Sequence, residues 1–389
     1  MASMGDLRIG VIGMGARGSL AVEAHQPGAG AAVVAVADVA GSRRERARSL
    51  FGPDVETVAD YHELLDAGLD AAFILTPDHL HEEQAATLLA AGIPTYVEKP
   101  LAITITGCDR ILAAAMEHGT RLYVGHNMRH SPVVLKMREL IASGAIGEVK
   151  AVWCRHFVGH GGEFYFKDWH ADRSKSTGLL LQKGAHDIDV IHWLAGGYTR
   201  RVTAMGGLTL YGQITDRRDN SGRLMSDWLS DTWPPLSLRG LNPVVDVEDL
   251  SMVTMALDNG VFATYEQCHF TPDYWRNYTI IGTEGRIENF GDADDSEIRL
   301  WNRRCRYNSR GDAAFPVRAA GSGHDGADVA TVAEFLRFVR DGGSTNTSPL
   351  AAREAVVTGV TATESLRAGG SVLPVPAPDE SLVKHFADN

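Results

Sequence analysis

Residues 7–18 read LRIGVIGMGARG, an apolar run that ends in three closely spaced glycines. A second apolar run, Ala31–Ala37, ends at Asp38, which lies 20 residues after Gly18. A strand, a glycine-rich turn that opens a helix, and an acidic residue at the end of the next strand form the fingerprint of a dinucleotide-binding βαβ unit. This stretch therefore predicts that the chain begins with a nucleotide-binding domain.

Each glycine of this motif has its own physical role. Gly13 permits the tight turn, Gly15 lets the backbone approach a pyrophosphate, and Gly18 allows the helix to pack closely on the strand. Ala16 and Arg17 lie in the loop that opens the helix, where free N–H groups and partial positive charge attract phosphates. We therefore predict that all five residues bind a cofactor. In the alternative interpretation the glycines only mark a turn.

Asp38 is expected to select the cofactor. Its carboxylate would accept hydrogen bonds from the adenosine ribose and repel a 2′-phosphate, which favours NAD over NADP. Arg43 and Arg44 follow closely and soften that preference, so NADP stays open. In the alternative interpretation Asp38 only caps a helix.

The strand and helix pattern continues through the first third of the chain. Apolar runs lie at 71–75, 95–97 and 121–124, with helical stretches at about 79–91 and 104–118 between them. Strands without polar alternation, separated by helices, indicate a parallel sheet that is covered on both faces. We predict an α/β fold class in which residues 1–127 form a Rossmann domain with a doubly wound parallel sheet.

Residues 128–389 have a different pattern, which predicts a second α/β domain for substrate binding and oligomerisation. Its large open sheet is expected to be mostly antiparallel, and Asp258-Asn259-Gly260 predicts a hairpin. The last helices are expected to pack back on the first domain. The predicted strands are 148–158, 201–208, 250–257, 261–269 and 275–281, and the predicted helices are 131–142, 328–340 and 351–367.

Two stretches, Tyr211–Pro243 and Gly291–Gly326, have no usable period. We expect both to be irregular insertions. Structureless segments of this length are either functional or solvated connectors, and the sequence leaves both interpretations open for each.

Composition excludes several classes of protein. The 389 residues include 37 Lys and Arg against 49 Asp and Glu, a net charge of −12 that argues against binding to nucleic acid or anionic membranes. There is no signal-peptide pattern and no apolar run long enough to span a bilayer. Four scattered cysteines fit a cytoplasmic protein. Cys154, His156 and His160 lack metal-ligand spacing, so no metal is expected.

Two polar clusters are candidates for catalysis. Lys99 follows a predicted parallel strand, at the sheet edge where such folds bind ligands, although it could simply pair with Glu98. Residues 182–189 read QKGAHDID, which places His186 and Asp189 on one helix face. A histidine beside a carboxylate suits a general base. The alternative is that His186 is a buried structural histidine.

A third cluster, residues 155–173, mixes polar side chains with aromatic rings in the sequence RHFVGHGGEFYFKDWHADR. Rings pack on the C–H faces of a ligand while polar groups bind its hydroxyls. We therefore predict a pocket for a small polyhydroxylated molecule, with His160, Trp169, His170 and Arg173 as substrate-binding candidates.

In combination, these motifs resemble the Gfo/Idh/MocA family of NAD(P)-dependent oxidoreductases, which includes glucose-fructose oxidoreductase and inositol dehydrogenase. The matches appear in the family's order along the chain. They are the N-terminal fingerprint, Thr76-Pro77 with His79 and His81, Glu98-Lys99-Pro100, His126-Asn127-Met128-Arg129, Ile141–Val149, and Gly184-x-His186-x-x-Asp189.

The resemblance implies an NAD(P)-dependent dehydrogenase acting on CH–OH groups, which oxidises a secondary hydroxyl of a sugar, an inositol or a derivative. It also implies a homodimer or homotetramer formed through the C-terminal sheet. The cofactor contacts that it implies are Thr76, Pro77, His81, Glu98 and Lys99. The substrate contacts that it implies are Lys99, His126, Arg129, Gln182, Lys183 and His186.

Members of the family typically use the EKP lysine with an aspartate and a histidine. The resemblance places Lys99 and His186 in two of these roles, with Gln182 at the aspartate position and Lys183 beside it. His186 is expected to be the base, Lys99 to stabilise the alkoxide, and Gln182 to position the substrate. Two alternatives stay open: an NAD-recycling glycoside-cleaving enzyme of the same fold, and a non-catalytic regulator that senses sugar or NAD.

Overall fold

The computed structural model describes residues 5–293, 295–318 and 326–386. The chain divides into two compact units. The first comprises Met1–His126, Asp328–Arg353 and Pro378–Asn389, and the second comprises Asn127–Ala327 and Glu354–Ala377. The helices Ala327–Asp341 and Glu380–His385 therefore belong almost entirely to the first unit.

Two sheets organise these units. The strands of the first sheet are β1 (Leu7–Ile12), β2 (Ala31–Ala37), β3 (Glu56–Val58), β4 (Ala71–Ile74), β5 (Thr95–Val97) and β6 (Leu122–Val124). Those of the second are β7 (Val149–Phe157), β8 (Thr199–Gly207), β9 (Leu250–Leu257), β10 (Phe262–Cys268), β11 (Trp275–Gly282), β12 (Arg286–Phe290), β13 (Ser296–Trp301), β14 (Ala313–Val317) and β15 (Leu373–Pro374).

The helices cover these sheets. They are α1 (Ser19–Ala24), α2 (Gly41–Phe51), α3 (His81–Ala90), α4 (Ile105–His118), α5 (Pro132–Ala142), α6 (Gly161–Tyr165), α7 (Arg173–Ser176), α8 (Leu179–Gln182), α9 (Gly184–Ala195), α10 (Ala327–Asp341), α11 (Pro349–Arg367) and α12 (Glu380–His385). Within the described residues, no helix is long and apolar enough to cross a membrane.

The sheet of the first unit is parallel in every pairing and has the strand order β3-β2-β1-β4-β5-β6. Its middle strands are buried on both faces, so they carry apolar residues without alternation. Phe73 and Tyr96 lie under the edge of the Phe335 ring from α10, at centroid distances of 5.0 and 5.5 Å. The predicted doubly wound parallel sheet is confirmed.

The second unit has a nine-stranded sheet in the order β14-β13-β12-β11-β7-β10-β9-β8-β15. β7 and β10 pair in parallel, and the other pairs are antiparallel. Val253 and Met255 are buried while the alternating residues Met252 and Thr254 are exposed, so one face packs on helices such as α9. The hairpin is present: β9 and β10 are joined through Gly260, whose φ is +83°. The predicted, mostly antiparallel sheet is confirmed.

One of the two predicted insertions contains strands. Within Gly291–Gly326 the chain forms β13 and β14, so the expectation of an irregular segment is wrong for these residues. Ile298 and Leu300 alternate with polar residues and are buried, and α5 packs against both strands. Glycine-rich and Asp-rich turns on either side dilute this short pattern in the sequence. Residues 294 and 319–325 of the predicted insertion lie outside the described residues.

The other insertion, Tyr211–Pro243, is irregular as predicted. It contains three short 3₁₀ turns and an isolated bridge between Arg217 and Leu241. Its core is formed by Tyr211, Ile214, Leu238 and Leu241, which are buried in one apolar cluster with Phe166. The segment is therefore packed on the second unit through its apolar residues even though it lacks regular structure.

We predict that Phe335→Ala lowers the free energy of unfolding by about 3–5 kcal/mol, because it leaves a cavity between buried rings. Phe335 is fully buried. Tyr307, which is 80% exposed, provides the control Tyr307→Ala, expected to change stability by less than about 0.5 kcal/mol. Urea unfolding of the full chain measures both values. Equal effects of the two substitutions would contradict this description of the core.

Candidate functional site

The carboxyl ends of the parallel strands bring several predicted residues to one edge of the first unit. Strand order reverses between β1 and β4, the position where doubly wound sheets form a crevice for ligands. Gly13 follows β1, Thr76 comes two residues after β4, and Glu98 follows β5. Parallel registers between these strands place the three loops side by side. The predicted cofactor residues of this unit therefore share one edge.

The loop after β1 has the geometry of a phosphate cradle. Gly13 has φ +93°, and a Cβ added there would lie 2.9 Å from the carbonyl oxygen of Leu75, so a larger residue would be strained. A Cβ added to Gly15 would come no closer than 3.9 Å to the Arg43 guanidinium. The backbone at Gly15 therefore faces open space, which fits close approach by a pyrophosphate.

Asp38 is held in a fixed orientation at the end of β2. Its Oδ2 accepts a hydrogen bond from the Met14 N–H at 2.8 Å, and its Oδ1 accepts one from the Ala40 N–H at 2.9 Å. Arg43 Nη1 lies 3.9 Å from Oδ2. The carboxylate thus links the glycine loop to the loop after β2, which is the position that ribose recognition requires.

Arg17 and Glu98 form a partly buried ion-pair network with Asp328, a residue 311 positions away from Arg17 that the motifs did not indicate. Arg17 Nε donates to Glu98 at 2.9 Å, and its two terminal nitrogens donate to Asp328 at 3.0 and 3.1 Å. Burial opposes the charge, but Glu98 and Asp328 raise the pKa of Arg17 above its ordinary value. Any cofactor contact from Arg17 would therefore come from its backbone.

Lys99 follows Glu98, whose Oε2 accepts a hydrogen bond from the Lys99 backbone N–H at 2.9 Å. The Glu98 carboxylate also pairs with Arg17, whose Nη2 lies 2.8 Å from Oε1. The ring of His81 links the neighbouring loops: Nδ1 lies 2.8 Å from the Pro100 carbonyl and Nε2 lies 3.0 Å from the Thr76 carbonyl. His81 is buried and positions these loops.

Two further predicted residues belong to the first unit. Pro77 precedes the 3₁₀ turn Asp78–Leu80, and His126 is buried after β6.

In the second unit, two of the predicted clusters meet around a tyrosine. Lys183 Nζ lies 5.8 Å from the centroid of the Tyr165 ring, and the Tyr165 ring contacts His170 edge-on at 5.4 Å. His170 stacks on Trp169 at 3.7 Å. Tyr165 was not selected from the sequence, and the only signal for it was its place in the aromatic run. Lys183 and the residue pair Trp169–His170 are therefore near neighbours.

Gln182 and His186 lie at the end of α8 and in the first turn of α9, and both are mostly buried. Asp189 has a partner that its spacing from His186 did not predict. Both of its carboxylate oxygens accept hydrogen bonds from the buried Arg129 guanidinium at 2.7 Å. This bidentate pair favours a structural role for Arg129 over the predicted substrate contact.

Two other predicted substrate residues have acidic partners near the surface. His160 Nε2 lies 3.1 Å from Asp231, and the Arg173 guanidinium lies 3.1 Å from Asp246. Both side chains are more than two-fifths exposed, so these pairs are weak and can open to a ligand. His160 is linked to Tyr165 through the ring of Phe164, with centroid distances of 5.9 and 6.3 Å.

A buried charge network lies directly behind His186. Asp187 accepts hydrogen bonds from His156 Nδ1 at 2.8 Å and from the Tyr278 hydroxyl at 2.5 Å, and Arg276 Nε lies 3.2 Å away. Burial favours the neutral acid, but Arg276 and His156 hold the pKa of Asp187 well below its ordinary value. Asp187 is therefore a charged anchor that fixes the start of α9.

His156 is the neutral member of this network. Burial lowers its pKa to about 3, and the neighbouring Arg276 contributes to the lowering. Its Nδ1 is hydrogen-bonded to Asp187, and its Nε2 lies 3.4 Å from an Arg276 nitrogen. Among the described residues, no cluster of three His, Cys, Asp or Glu side chains could hold a metal ion.

Two family models match the chain. Residues 7–126 match the model described as "Oxidoreductase family, NAD-binding Rossmann fold". Residues 134–288 match the "GFO/IDH/MocA C-terminal domain". Together the two matched regions cover more than half of the chain: the first contains the whole first sheet, and the second contains β7 to β11 and most of β12.

Named relatives include two inositol dehydrogenases. Inositol 2-dehydrogenase 1 of Saccharopolyspora erythraea is 34% identical over 200 residues, which is 51% of this chain and 57% of that protein. Inositol 2-dehydrogenase of Klebsiella pneumoniae is 36% identical with the same coverage. The chain thus matches little more than half the length of these relatives. A levoglucosan dehydrogenase solved with NADH and levoglucosan has a TM-score of 0.77 at 22% identity, covering 95% of this chain and 100% of the other, which shows a shared fold.

We predict that the His156–Asp187 network makes the protein less stable in mild acid. The pKa of His156 is 6.5 when unperturbed and about 3 in the fold, so below pH 6.5 the unfolded chain binds a proton that the folded chain excludes. From about pH 7 to pH 5 this costs about 2 kcal/mol of unfolding free energy. His192, whose pKa burial also lowers to about 3, adds a similar loss.

His156→Gln tests this prediction because it removes one titrating group. Urea unfolding at pH 7 and pH 5 measures how much unfolding free energy is lost on acidification. This loss should be about 2 kcal/mol smaller in His156→Gln than in the wild type. His385, an exposed histidine, provides the control His385→Gln, which should keep the wild-type dependence. An unchanged pH dependence in His156→Gln would show that His156 is not a buried neutral histidine.

Proposed function

Because this chain belongs to the GFO/IDH/MocA family of NAD-binding oxidoreductases, as its motifs predicted, we propose that it is an NAD-dependent dehydrogenase. We propose that its substrate is a secondary alcohol on a sugar, an inositol or a related polyol. The observation that carries the proposal is the open cradle at Gly13 and Gly15, beside the loop that presents Lys99. The names of the inositol and levoglucosan dehydrogenases support this substrate class.

The residues at the edge of the first sheet fit a dinucleotide. Open space at Gly15 suits the pyrophosphate, and the fixed carboxylate of Asp38 suits the two ribose hydroxyls. That negative charge disfavours a 2′-phosphate, so we propose NAD as the preferred cofactor over NADP. Bound NAD supplies the nicotinamide ring that accepts the hydride.

We propose that His186 takes the proton from the reacting hydroxyl. A neutral imidazole is a competent base near neutral pH, and the Asp187 network holds the turn of α9 that carries it. The Lys99 ammonium would stabilise negative charge on the substrate oxygen as the proton leaves. The amide of Gln182 would orient the substrate, and Lys183 would add positive charge nearby.

Turnover with a panel of inositols, sugars and sugar acids tests this function. We expect NADH to accumulate with at least one polyol, and Lys99→Ala and His186→Ala each to lower kcat by at least about 100-fold. Lys150→Ala and His62→Gln, at exposed positions on each unit, are the matched controls and should retain activity.

The outcomes separate the candidate functions. Activity that survives both Lys99→Ala and His186→Ala would refute the catalytic assignment. Cleavage of a glycoside without net NADH would favour the NAD-recycling enzyme, which the neutral Gln182 at the usual aspartate position makes a specific second candidate. Binding of NAD and sugar without turnover of any substrate in the panel would favour a sensing protein.

We further propose that the open face of the second sheet forms a homodimer or homotetramer interface. Large apolar side chains on its four adjacent strands β7, β10, β9 and β8 lie on that face: Trp153, Phe262, Met252 and Met205, each at least 50% exposed. The registers align Met205 with Met252 and place Phe262 opposite Ala151, two residues from Trp153, so the four residues form two apolar pairs on this face. Exposed apolar surface of this kind is typical of a subunit interface.

The double substitution Met252→Glu with Phe262→Glu should convert the assembly to monomers, because it would bury charges in an apolar interface. Light scattering during size-exclusion chromatography measures the mass. Leu229, which is 51% exposed outside the sheet, provides the control Leu229→Glu. A wild-type mass equal to one chain, or an unchanged assembly in the double variant, would refute this interface.

A further inference from the structure

The insertion Tyr211–Pro243 has no role in the proposed reaction, yet it encloses a cavity of about 310 Å³ with Lys167. The charged lining residues are Lys167, Arg218, Arg223 and Arg239 against the single carboxylate of Asp216, and one wall is the ring of Trp228. All of them belong to the second unit. The pocket is therefore strongly cationic in a protein whose net charge is −12.

The positive charges of this pocket are not neutralised by the protein. Among the described residues, none of the four cations forms an ion pair with a carboxylate. Arg223 donates to the amide oxygen of Asn220 at 3.0 Å, Arg239 donates to the Leu238 carbonyl at 2.8 Å, and Lys167 Nζ lies 3.3 Å from the Trp228 carbonyl. These acceptors are neutral, so the charges remain available to an anion.

Only one of the four cations is buried: Arg218 and Arg239 are exposed, and Arg223 is half-buried. Lys167 is only 8% exposed. Burial lowers the pKa of its ammonium, Glu163 partly raises it, and the nearby Arg223 lowers it again. Like charges that converge in a partly desolvated pocket repel each other, and an oxyanion bound between them would offset that repulsion.

The pocket walls are held in place by hydrogen bonds. Asn220, which is 2% exposed, donates to the carbonyls of Lys167 at 2.8 Å and Gly240 at 3.1 Å. Asp216 Oδ1 accepts a hydrogen bond from the Gly240 N–H at 2.6 Å, so this carboxylate is engaged with the backbone. Three segments that are distant in sequence are thereby fixed around one cavity, which reduces the ordering cost of binding.

The lining defines the chemical class of the ligand. Guanidinium groups match the geometry of phosphate and sulfate oxygens, which they can bind in bidentate fashion. Trp228 offers an apolar surface for the body of a ligand, and its Nε1–H is fixed on the Glu163 carbonyl at 3.0 Å. We propose that this pocket binds a small organic phosphate or sulfate ester.

Isothermal titration calorimetry of the full chain tests the proposal, with glucose 6-phosphate, glucose 6-sulfate, inorganic phosphate and glucose as probes. We expect at least one ester to bind at least about tenfold more tightly than inorganic phosphate, since its body can contact Trp228, and to bind more tightly than glucose. The two esters distinguish a phosphate from a sulfate ligand. The titrations contain no NAD, so their result does not depend on the proposed dehydrogenase activity.

The double variant Arg218→Gln with Arg239→Gln should weaken ester binding by at least about tenfold, because charged hydrogen bonds are lost. Arg310→Gln removes an exposed arginine outside the pocket and is the control for general electrostatic attraction. Circular dichroism verifies that the variants are folded.

Three results would overturn the proposal. They are no ester binding to the wild type, ester binding that is unchanged in the folded double variant, and an equal loss of affinity in Arg310→Gln. Glucose binding that is as tight as ester binding and is lost in the folded double variant would also overturn it, because the pocket would then recognise the sugar and not the anion.

Discussion

The turn after β1 depends on a backbone conformation that side chains do not tolerate. Gly13 adopts φ +93°, and a Cβ at this position would lie only 2.9 Å from the carbonyl oxygen of Leu75. This close approach lets β1 and β4 lie side by side at the point where the strand order reverses. The open backbone at Gly15 and the anchored carboxylate of Asp38 both depend on that turn, since Asp38 is bonded to Met14 within it. The nucleotide-binding geometry of the first unit therefore follows from one steric constraint.

Beyond this turn, buried charges hold the functional loops. Arg17 joins Glu98 to Asp328 in the first unit, and Asp187 joins His156 to Arg276 in the second. A buried charge is tolerated only with partners of opposite charge or strong hydrogen bonds, so each network requires a specific arrangement of distant segments. Such networks restrict the positions of the loops next to Lys99 and His186 more than apolar packing alone would. Residues that are proposed to act on a reacting bond require well-defined positions of this kind.

The sequence predicted the elements that carry a local signal. Three features carry such a signal: the glycine spacing after β1, the apolar run of β2 and the Asn-Gly turn at Gly260. In each of them a few adjacent residues determine the backbone conformation, and the structure contains all three. Asp328 could not be predicted, because its pairing with Arg17 spans the chain and depends on how α10 packs. Arg129 likewise looked available for substrate until the fold placed Asp189 beside it. Long-range charge pairing decides these roles, and no local pattern encodes it.

In the proposed site, Gln182 stands where the family resemblance implies an aspartate, and this exchange changes the electrostatics of the proposed reaction. A carboxylate beside His186 would stabilise the imidazolium formed when the proton leaves the substrate, whereas an amide has no net charge to do so. Lys183 shifts the balance further, because its cation disfavours a second positive charge nearby. The same cation favours negative charge on the substrate oxygen. The proposed site should therefore rely more on stabilising the alkoxide, through Lys99 and Lys183, and less on a strongly basic histidine.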